Sequence, residues 1–449
     1  MWGVKLWGLL GAAVLGLSPS LAVHPELQRS EPAQDTTVQA VPAELRLTFT
    51  EGVDPDLSEV RLVVEGGGEY PLVLSSGADP VELVASVPAA TAPGLWTVHW
   101  RVMGADAHPV RGTYSFRVEA PVAVPLDSAA PADPPAQFTQ PAEEEPLGVG
   151  SPAFVAARWI TFVSMLTAIG AVAFRFLVLH PARMRAPALV AAMEAAASGA
   201  ARLGRGAALF LALAAVVRLL LQFETLGGGD LQLLRDLLFA SSWGQAWFIQ
   251  VGSALLALLG FHIALGGGQA GWGVAALATP GIALGASLAS HAASADLPVL
   301  GVTADALHTL AVSGWLGALL VLVVAGFPAL LREGAPSGKF SAVAAVIGAF
   351  SPRALLMAGI AVVTGTLGAL LHLTSVASLW QTPYGRMLLL KLALVGTVAA
   401  LGAWNWRRMK PRLDAGDAPE RLRRTAAAEL FMGALVLLAT AILVALPTP

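Results

Sequence analysis

The chain has 449 residues, of which 56% are hydrophobic and 13% are charged, and its mean hydropathy is +0.68. Soluble domains carry about 25% charged residues, so this composition excludes an ordinary soluble protein and indicates a membrane protein. The net charge of −3 gives no basis for a nucleic-acid partner. The sequence contains no cysteine, which excludes disulfides, thiolate metal sites and cysteine nucleophiles and leaves His, Asp, Glu and Met as metal ligands.

Residues 1–23 have the pattern of a secretory signal peptide. Lys5 precedes an apolar stretch over residues 6–17, and small residues follow it. The stretch is shorter than the roughly 20 residues that a spanning helix needs. We therefore predict an exported chain that is cleaved either before Val23 or directly before His24.

Residues 24–119 predict an all-β domain. Four segments alternate apolar and polar residues between Gly, Pro and Asp turns, which is typical of half-buried strands. The segments are Glu44–Thr50, Glu59–Val64, Leu95–Val102 and Thr113–Val118. We predict a small antiparallel β-sandwich or barrel. Residues 120–150 are rich in Pro and Ala and contain an acidic run, so they predict an extended linker.

Residues 151–449 predict an all-α polytopic membrane domain of eight transmembrane helices. The apolar spans lie near residues 153–178, 203–223, 243–265, 271–290, 303–326, 351–373, 385–405 and 425–446. Each is long enough to cross a bilayer. The loops after spans 1, 5 and 7 hold most of the nearby Arg and Lys, whereas those after spans 2, 4 and 6 are acidic or neutral. The positive-inside rule therefore predicts a bacterial inner-membrane protein with its N-terminal domain in the periplasm.

The loop between the last two predicted strands holds a candidate metal site. Asp106 and His108 are two residues apart there, and a carboxylate with an imidazole suits copper(II) or zinc(II). His24, next to the predicted mature N-terminus, is the candidate third ligand. The alternative interpretation is a turn stabilised by an Asx-type hydrogen bond, with a surface histidine. His99 lies on the polar phase of a strand and is predicted to be a surface residue.

The β-domain carries motifs of a known family. They are His24-Pro25-x-Leu27, Pro42-x-x-Leu45-x-Leu47-x-Phe49-x-Glu51, Gly94-x-Trp96-x-Val98-x-Trp100-Arg101-Val102 and Asp106-x-His108-Pro109-Val110-x-Gly112. In these residues the domain resembles the CopC family of periplasmic copper-binding proteins. The resemblance implies a Greek-key, Ig-like fold and a copper(II) site formed by His24, Asp106 and His108. Family members with a copper(I) site have a Met-rich segment; this domain has only Met103, so we expect copper(II) alone.

Histidines in the predicted spans suggest a second copper site. Span 4 ends at His291, span 5 begins with Asp305 and His308 one helical turn apart, and span 6 reaches His372 near its end. In the predicted topology all of them lie on the periplasmic side. Ionisable residues in a membrane are costly and usually functional. The alternative interpretation is a set of separate interfacial histidines.

The membrane domain resembles the CopD family of copper-resistance membrane proteins. The motifs that carry this resemblance are Trp243-Gly244-x-x-Trp247, Ser290-His291-Ala292, Asp305-x-x-His308, Trp315-x-Gly317, Phe340-Ser341, Thr364-Gly365, Thr382-x-Tyr384-Gly385-x-x-Leu388-x-x-Lys391, Asn405 and Glu429. The resemblance implies copper movement across the inner membrane, with His291 and His308 as ligands. We predict interfacial positions for His180 and His262, and structural roles for Lys391 and Glu429.

These patterns predict periplasmic copper(II) capture and delivery to or through the inner membrane, in copper import or homeostasis. The partners expected are the copper ion and the lipid bilayer, and the sequence has no P-loop motif for a nucleotide. A transporter or metal-binding protein is favoured over an enzyme. Two enzymes remain as alternatives: a haem-containing membrane cupric reductase with bis-His haem, and an oxidative enzyme with a copper His brace.

Overall fold

The computed structural model describes residues 25, 27–50, 52–65, 68–88, 93–103, 109–119, 151–226, 231–290, 297–333, 339–373, 375–405, 407 and 418–446. Two compact units are present, one built on the β-strands and one on the long helices. The predicted signal peptide and the predicted linker lie outside the described residues, and their boundaries stay predictions.

Nine strands form two sheets in the first unit. They are β1 (Leu27–Glu31), β2 (Thr37–Val38), β3 (Glu44–Phe49), β4 (Glu59–Val64), β5 (Glu69–Pro71), β6 (Val73–Ser76), β7 (Glu82–Ser86), β8 (Gly94–Met103) and β9 (Pro109–Val118). One sheet has the order β1-β3-β7-β6 and the other the order β2-β9-β8-β4-β5. All neighbours are antiparallel except β2 and β9.

A single apolar core joins the two sheets. Alternate residues of β3, among them Leu45 and Leu47, are fully buried, and Trp96 and Val98 of β8 are buried with them. The apolar residues of the period-two pattern therefore form the inward face of these strands. The predicted β-fold is confirmed, as a sandwich of two sheets rather than a closed barrel. The sequence pattern did not predict β1, β2, β5, β6 and β7, because two to five residues are too few to show alternation.

The β8–β9 hairpin carries the loop with the predicted copper ligands. Its pairing continues to the partners Met103 and Pro109, and residues 104–108 between them lie outside the described residues. Within the hairpin, Trp100 pairs with Gly112. A Cβ atom on Gly112 would lie 2.2 Å from Cζ2 of Trp100, so the indole ring occupies the space that a side chain would need. The ring also meets Phe49 edge-on, with 5.2 Å between the centroids.

Thirteen α-helices lie in the described part of the chain. They are α1 (Pro152–Ala173), α2 (His180–Arg185), α3 (Val190–Thr225), α4 (Leu231–Phe239), α5 (Ser242–Leu265), α6 (Gln269–Leu288), α7 (Pro298–Val312), α8 (Ala318–Val321), α9 (Phe327–Glu333), α10 (Lys339–His372), α11 (Ser378–Gln381), α12 (Pro383–Trp404) and α13 (Ala418–Leu443). The π-helical segments Phe174–Leu179, Ser313–Gly317 and Leu322–Gly326 join α1 to α2, α7 to α8 and α8 to α9. The short helix α4 is grouped with the β-unit.

Eight helical stretches in the described residues are long and apolar enough to cross a membrane, which confirms the predicted number. They are Pro152–Arg185, Pro187–Thr225, Ser242–Leu265, Gln269–Leu288, Val299–Arg332, Ala342–Leu371, Pro383–Trp404 and Arg424–Leu443. Several boundaries differ from the prediction. Arg202 and Arg205 lie inside α3 rather than in a loop, and Asp236 lies inside α4. The first turns of α3 are rich in Ala, which favours helix although the segment is too polar for an apolar span.

Close contacts between small residues hold the spans together. A Cβ atom on Gly170 of α1 would lie 2.3 Å from the backbone carbonyl carbon of Gly317. The two backbones therefore touch, as in helix pairs that associate through small residues in lipid. The indole nitrogen of Trp159 in α1 donates to the carbonyl of Ala434 in α13 at 3.1 Å. The first span is thus fixed against both the fifth and the eighth.

The Trp100–Gly112 packing predicts the cost of adding one methyl group to the hairpin. We expect Gly112→Ala to destabilise the β-domain by about 1–3 kcal/mol, because the indole ring must leave its site. Denaturant unfolding of the expressed segment 24–119, followed by tryptophan fluorescence, measures the change. Gly68→Ala is the matched control, since its added Cβ would meet Tyr70 at an ordinary 3.6 Å. Equal stability of the two variants would contradict the prediction.

Candidate functional site

The predicted ligands of the β-domain lie outside the described residues. This holds for His24, Asp106 and His108, so the copper(II) site stays a prediction. His99 is exposed, and its Nδ1 lies 3.2 Å from Oγ1 of Thr113 on the neighbouring strand. The predicted surface position of His99 is confirmed.

The structure describes half of the predicted membrane cluster. Asp305 and His308 lie in α7, whereas His291 and the side chain of His372 lie outside the described residues. The described side chains alone form no group of three or more His, Asp or Glu that could hold a metal ion. His308 and its neighbours are therefore the described part of the predicted site.

His308 is fixed by α10 through one ring nitrogen. Its Nδ1 lies 2.9 Å from the carbonyl oxygen of Ala361 and 3.2 Å from Oγ1 of Thr364. A carbonyl oxygen can only accept, so Nδ1 carries the hydrogen and donates it. In the neutral imidazole the lone pair is then on Nε2. A backbone carbonyl that holds the opposite nitrogen is the usual arrangement around a metal-binding histidine.

Thr364 and Gly365 make this arrangement possible. The hydroxyl of Thr364 donates to the carbonyl of Ile360 at 2.8 Å, so its oxygen is left to accept from His308. A Cβ atom on Gly365 would lie 2.9 Å from Cε1 of the imidazole. The Thr-Gly pair therefore supplies an acceptor and the space for the ring.

Two charged groups and a serine extend the polar cluster around His308. Oγ of Ser290 lies 3.5 Å from Oδ2 of Asp305 and donates to the carbonyl of Ser287 at 2.8 Å. The charges of Asp305 and Lys391 both act on the His308 ring. Lys391 is half-buried, and its charge also acts on Asp305. We define the His308 cluster as Ser290, Asp305, His308, Thr364 and Lys391.

Three members of the His308 cluster, His308, Thr364 and Lys391, lie at similar depths. His308 is nine residues from the start of its span and Lys391 is eight residues from the start of its own, which corresponds to about 12–14 Å along each helix. Thr364 is seven residues before the end of its span. Neighbouring spans that cross the membrane in opposite directions thus place polar groups at one depth. An imidazole with a free Nε2 beside a carboxylate can bind a divalent metal ion there.

Sequence reasoning assigned no role to Thr364, Gly365 or Ser290, although all three belong to the quoted motifs. The contact from His308 to α10 spans more than fifty residues of sequence, so no local pattern could show it. The structural role predicted for Lys391 stays a prediction.

The remaining predicted polar positions fall into two groups. His180 and His262 are exposed in the helical unit, as expected for interfacial residues. Glu429 is buried and accepts a hydrogen bond from Nδ2 of Asn405. Asn405 is thus a hydrogen-bond partner of Glu429, and the structural role predicted for Glu429 stays a prediction.

Comparison with known proteins matches almost the whole chain. Family models match at residues 27–119 (CopC domain), 149–301 (Copper resistance protein D-like, N-terminal domain) and 344–443 (Copper resistance protein D). Copper transport protein CutJ of Bacillus subtilis is 24% identical over 99% of this chain and 78% of that protein. Copper resistance protein C of Escherichia coli is 33% identical over 25% of this chain and 94% of its own length. The crystal structure of CopC from Methylosinus trichosporium OB3b is 30% identical and covers 22% of this chain and 99% of that one, with a TM-score of 0.21.

The names of these relatives are those of copper transport and resistance proteins rather than of enzymes. A CopC domain and CopD-type spans occur here in one polypeptide. The chain therefore belongs to the CopC–CopD copper-resistance family, as a multi-pass membrane protein with a CopC-like domain.

Proposed function

We propose that the protein captures copper(II) in the periplasm and delivers it to the His308 cluster of its membrane domain. In this proposal His24, Asp106 and His108 bind the ion in the β-domain. The family relationship supports copper as the cargo, since the CopC relatives are named for copper resistance. In the same proposal the chain lies in the bacterial inner membrane, with residues 1–23 as the signal peptide, 24–119 as the copper-binding domain, 120–150 as the linker and 151–449 as the membrane domain.

One observation carries the membrane half of the proposal. The hydrogen bond from Nδ1 of His308 to the carbonyl of Ala361 leaves Nε2 as the basic nitrogen. The carbonyl of Ala361 accepts only from a protonated Nδ1, and the same tautomer gives Nε2 the lone pair that a metal ion needs. Asp305, one turn before His308, supplies negative charge for a cation. The proposed further ligands are His291 and His372. In the sequence each lies close to the end of a helix, α6 for His291 and α10 for His372.

The charge of Lys391 gives the cluster a second property. A lysine whose charge acts on both His308 and Asp305 opposes the binding of a cation. It also balances Asp305 when no metal is bound, because an unpaired carboxylate in a membrane is costly. The site is therefore suited to hold copper transiently and to pass it on rather than to store it.

Delivery inward would follow the electrical gradient of a cell that is negative inside. The sequence offers no nucleotide-binding motif to drive it. Inward movement of a dication across a membrane potential of 100 mV releases about 4–5 kcal/mol of free energy. We propose import as the direction, with the potential as part of the driving force.

The copper(II) site proposed in the β-domain predicts that removal of one imidazole lowers the affinity for copper(II). His108→Ala should weaken copper(II) binding at least about 10–100-fold, because even indirect partners of metal ligands contribute that much. Isothermal titration of the expressed segment 24–119 with copper(II) measures the affinity, and circular dichroism checks folding. The control is His99→Ala, which removes an exposed imidazole from the same hairpin. Unchanged affinity in His108→Ala would remove this site.

The metal site proposed in the membrane domain predicts a defect in copper accumulation, separate from copper(II) binding by the β-domain. His308→Ala should lower copper accumulation in cells while copper(II) binding by the β-domain stays intact, since the ligands of the two sites do not overlap. Cellular copper is measured by mass spectrometry at equal protein levels. His262→Ala is the control, because His262 is exposed in α5. Normal accumulation in His308→Ala would refute the membrane site.

The geometry around Gly365 predicts that a hydrophobic substitution mimics the loss of His308. Gly365→Val places atoms where Cε1 of the imidazole lies, so the ring must leave Ala361 and Thr364. Copper accumulation should fall to the level of His308→Ala. Gly359→Val is the matched control in the same helix, because nothing lies within 4 Å of the Cβ position on Gly359. A defect of equal size in both variants would show that the effect is not specific to His308.

A further inference from the structure

A buried acid–amide pair lies at the C-terminal end of α12, the helix that also contains Lys391. Asn405 directly follows α12, and Glu429 lies in α13, the helix that packs against α12. The two side chains are 9% and 5% exposed. Neither the capture of copper nor the His308 cluster uses them.

The hydrogen bonding of the pair is incomplete. Nδ2 of Asn405 donates to Oε1 of Glu429. Oδ1 of Asn405 is buried and, in the described part of the chain, has no donor. Gly402, one turn earlier on α12, lets the carboxyl group approach the helix, since a Cβ atom there would lie 3.5 Å from Oε2. The pair thus lacks one hydrogen, because a carboxylate has none to give.

No cation in the described part of the chain compensates the charge of the pair. Among the described side chains, burial and the hydrogen bond from Asn405 are the influences on Glu429, and no charged residue acts on it. The side chains of Arg407 and Arg424, the nearest described cations in sequence, are exposed. The ionisable residues on the other helices packed against α13 are Arg158, Tyr384, Arg386 and Lys391. All four lie toward the opposite end, since Trp159 meets Ala434 and Lys391 is fourteen residues before Asn405.

We propose that the Glu429–Asn405 pair is a proton-binding site that controls cation passage at the end of the membrane domain opposite the His308 cluster. One proton added to the carboxylate on Oε2 gives the neutral acid, and its O–H supplies the hydrogen that Oδ1 of Asn405 lacks. The charge of the site changes from −1 to 0. On release, the proton passes to water at that end of the helices.

Control of cation passage follows from the charge and from the position of the site. Asn405 and Lys391 are separated by fourteen residues of helix, or about 21 Å, so the Glu429–Asn405 pair at the end of this span is well separated along it from the His308 cluster. Ionised Glu429 attracts a cation, whereas neutral Glu429 does not. A proton and a copper ion therefore compete for the same negative charge.

Infrared difference spectroscopy of the full-length protein in nanodiscs tests proton binding without copper. Wild type should show the carbonyl stretch of a protonated carboxyl group, sensitive to deuteration, which disappears as the pH is raised. Glu429→Gln should lose this band, and Asn405→Ala should shift it, because the amide contact is removed. Glu224→Gln, at an exposed glutamate of α3, should leave it unchanged. A band that persists in Glu429→Gln overturns the proposal.

Copper flux into proteoliposomes of known orientation tests the control of passage, and this arm rests on the proposed function. In wild type, flux should fall as the compartment at the Glu429 end is acidified. Glu429→Gln, which resembles the neutral acid, should show low flux at every pH. Wild-type flux with wild-type pH dependence in this variant overturns the proposal. If wild type itself carries no copper, the function fails and the infrared result still decides proton binding.

Discussion

The hydrocarbon interior requires every polar group of a span to find a partner within the chain, and the rest of the membrane domain depends on this constraint. Trp159 and Trp247 meet it by donating to carbonyls of neighbouring helices, those of Ala434 and Ala215. His308 meets it in the same way, through the carbonyl of Ala361. For the tryptophans the bond only fixes a helix pair. For the histidine it also selects a tautomer, because the ring has a second nitrogen. The bond that meets this requirement thus also leaves the lone pair of His308 on Nε2.

The two domains position their ligands by different means. In the β-domain, the predicted ligands Asp106 and His108 lie in sequence between β8 and β9, which pair from Gly94 and Val118 to Met103 and Pro109. A rigid hairpin with a short connection restricts where the loop can lie. In the membrane domain, backbone contact between spans sets the depth of each polar side chain. One domain is suited to bind the ion from water, and the other to receive it without water.

Charge distribution along α12 suggests how capture and passage are balanced. In the proposed function Lys391 of this helix opposes the retention of a cation beside His308, and Glu429 accepts a hydrogen bond from Asn405 just after the end of the helix. In the proposed mechanism a copper ion moves from a site with a positive neighbour towards a negative one. Protonation of Glu429 removes that attraction. The same helix would then link copper entry to the pH of the compartment on the far side.

The sequence by itself determined an antiparallel β-domain of sandwich or barrel type, the eight spans and the family, because strand alternation, apolar length and short motifs are local properties. It also placed His99 on the surface. The ends of α3 were wrong, since helix propensity in an Ala-rich segment continues where hydropathy stops. Only the tertiary structure decided that His308 donates through Nδ1, that Gly365 makes room for its ring and that Lys391 acts on it. These facts depend on which faces of α7, α10 and α12 meet, and helices with apolar residues on all sides carry no periodic signal of their contacts.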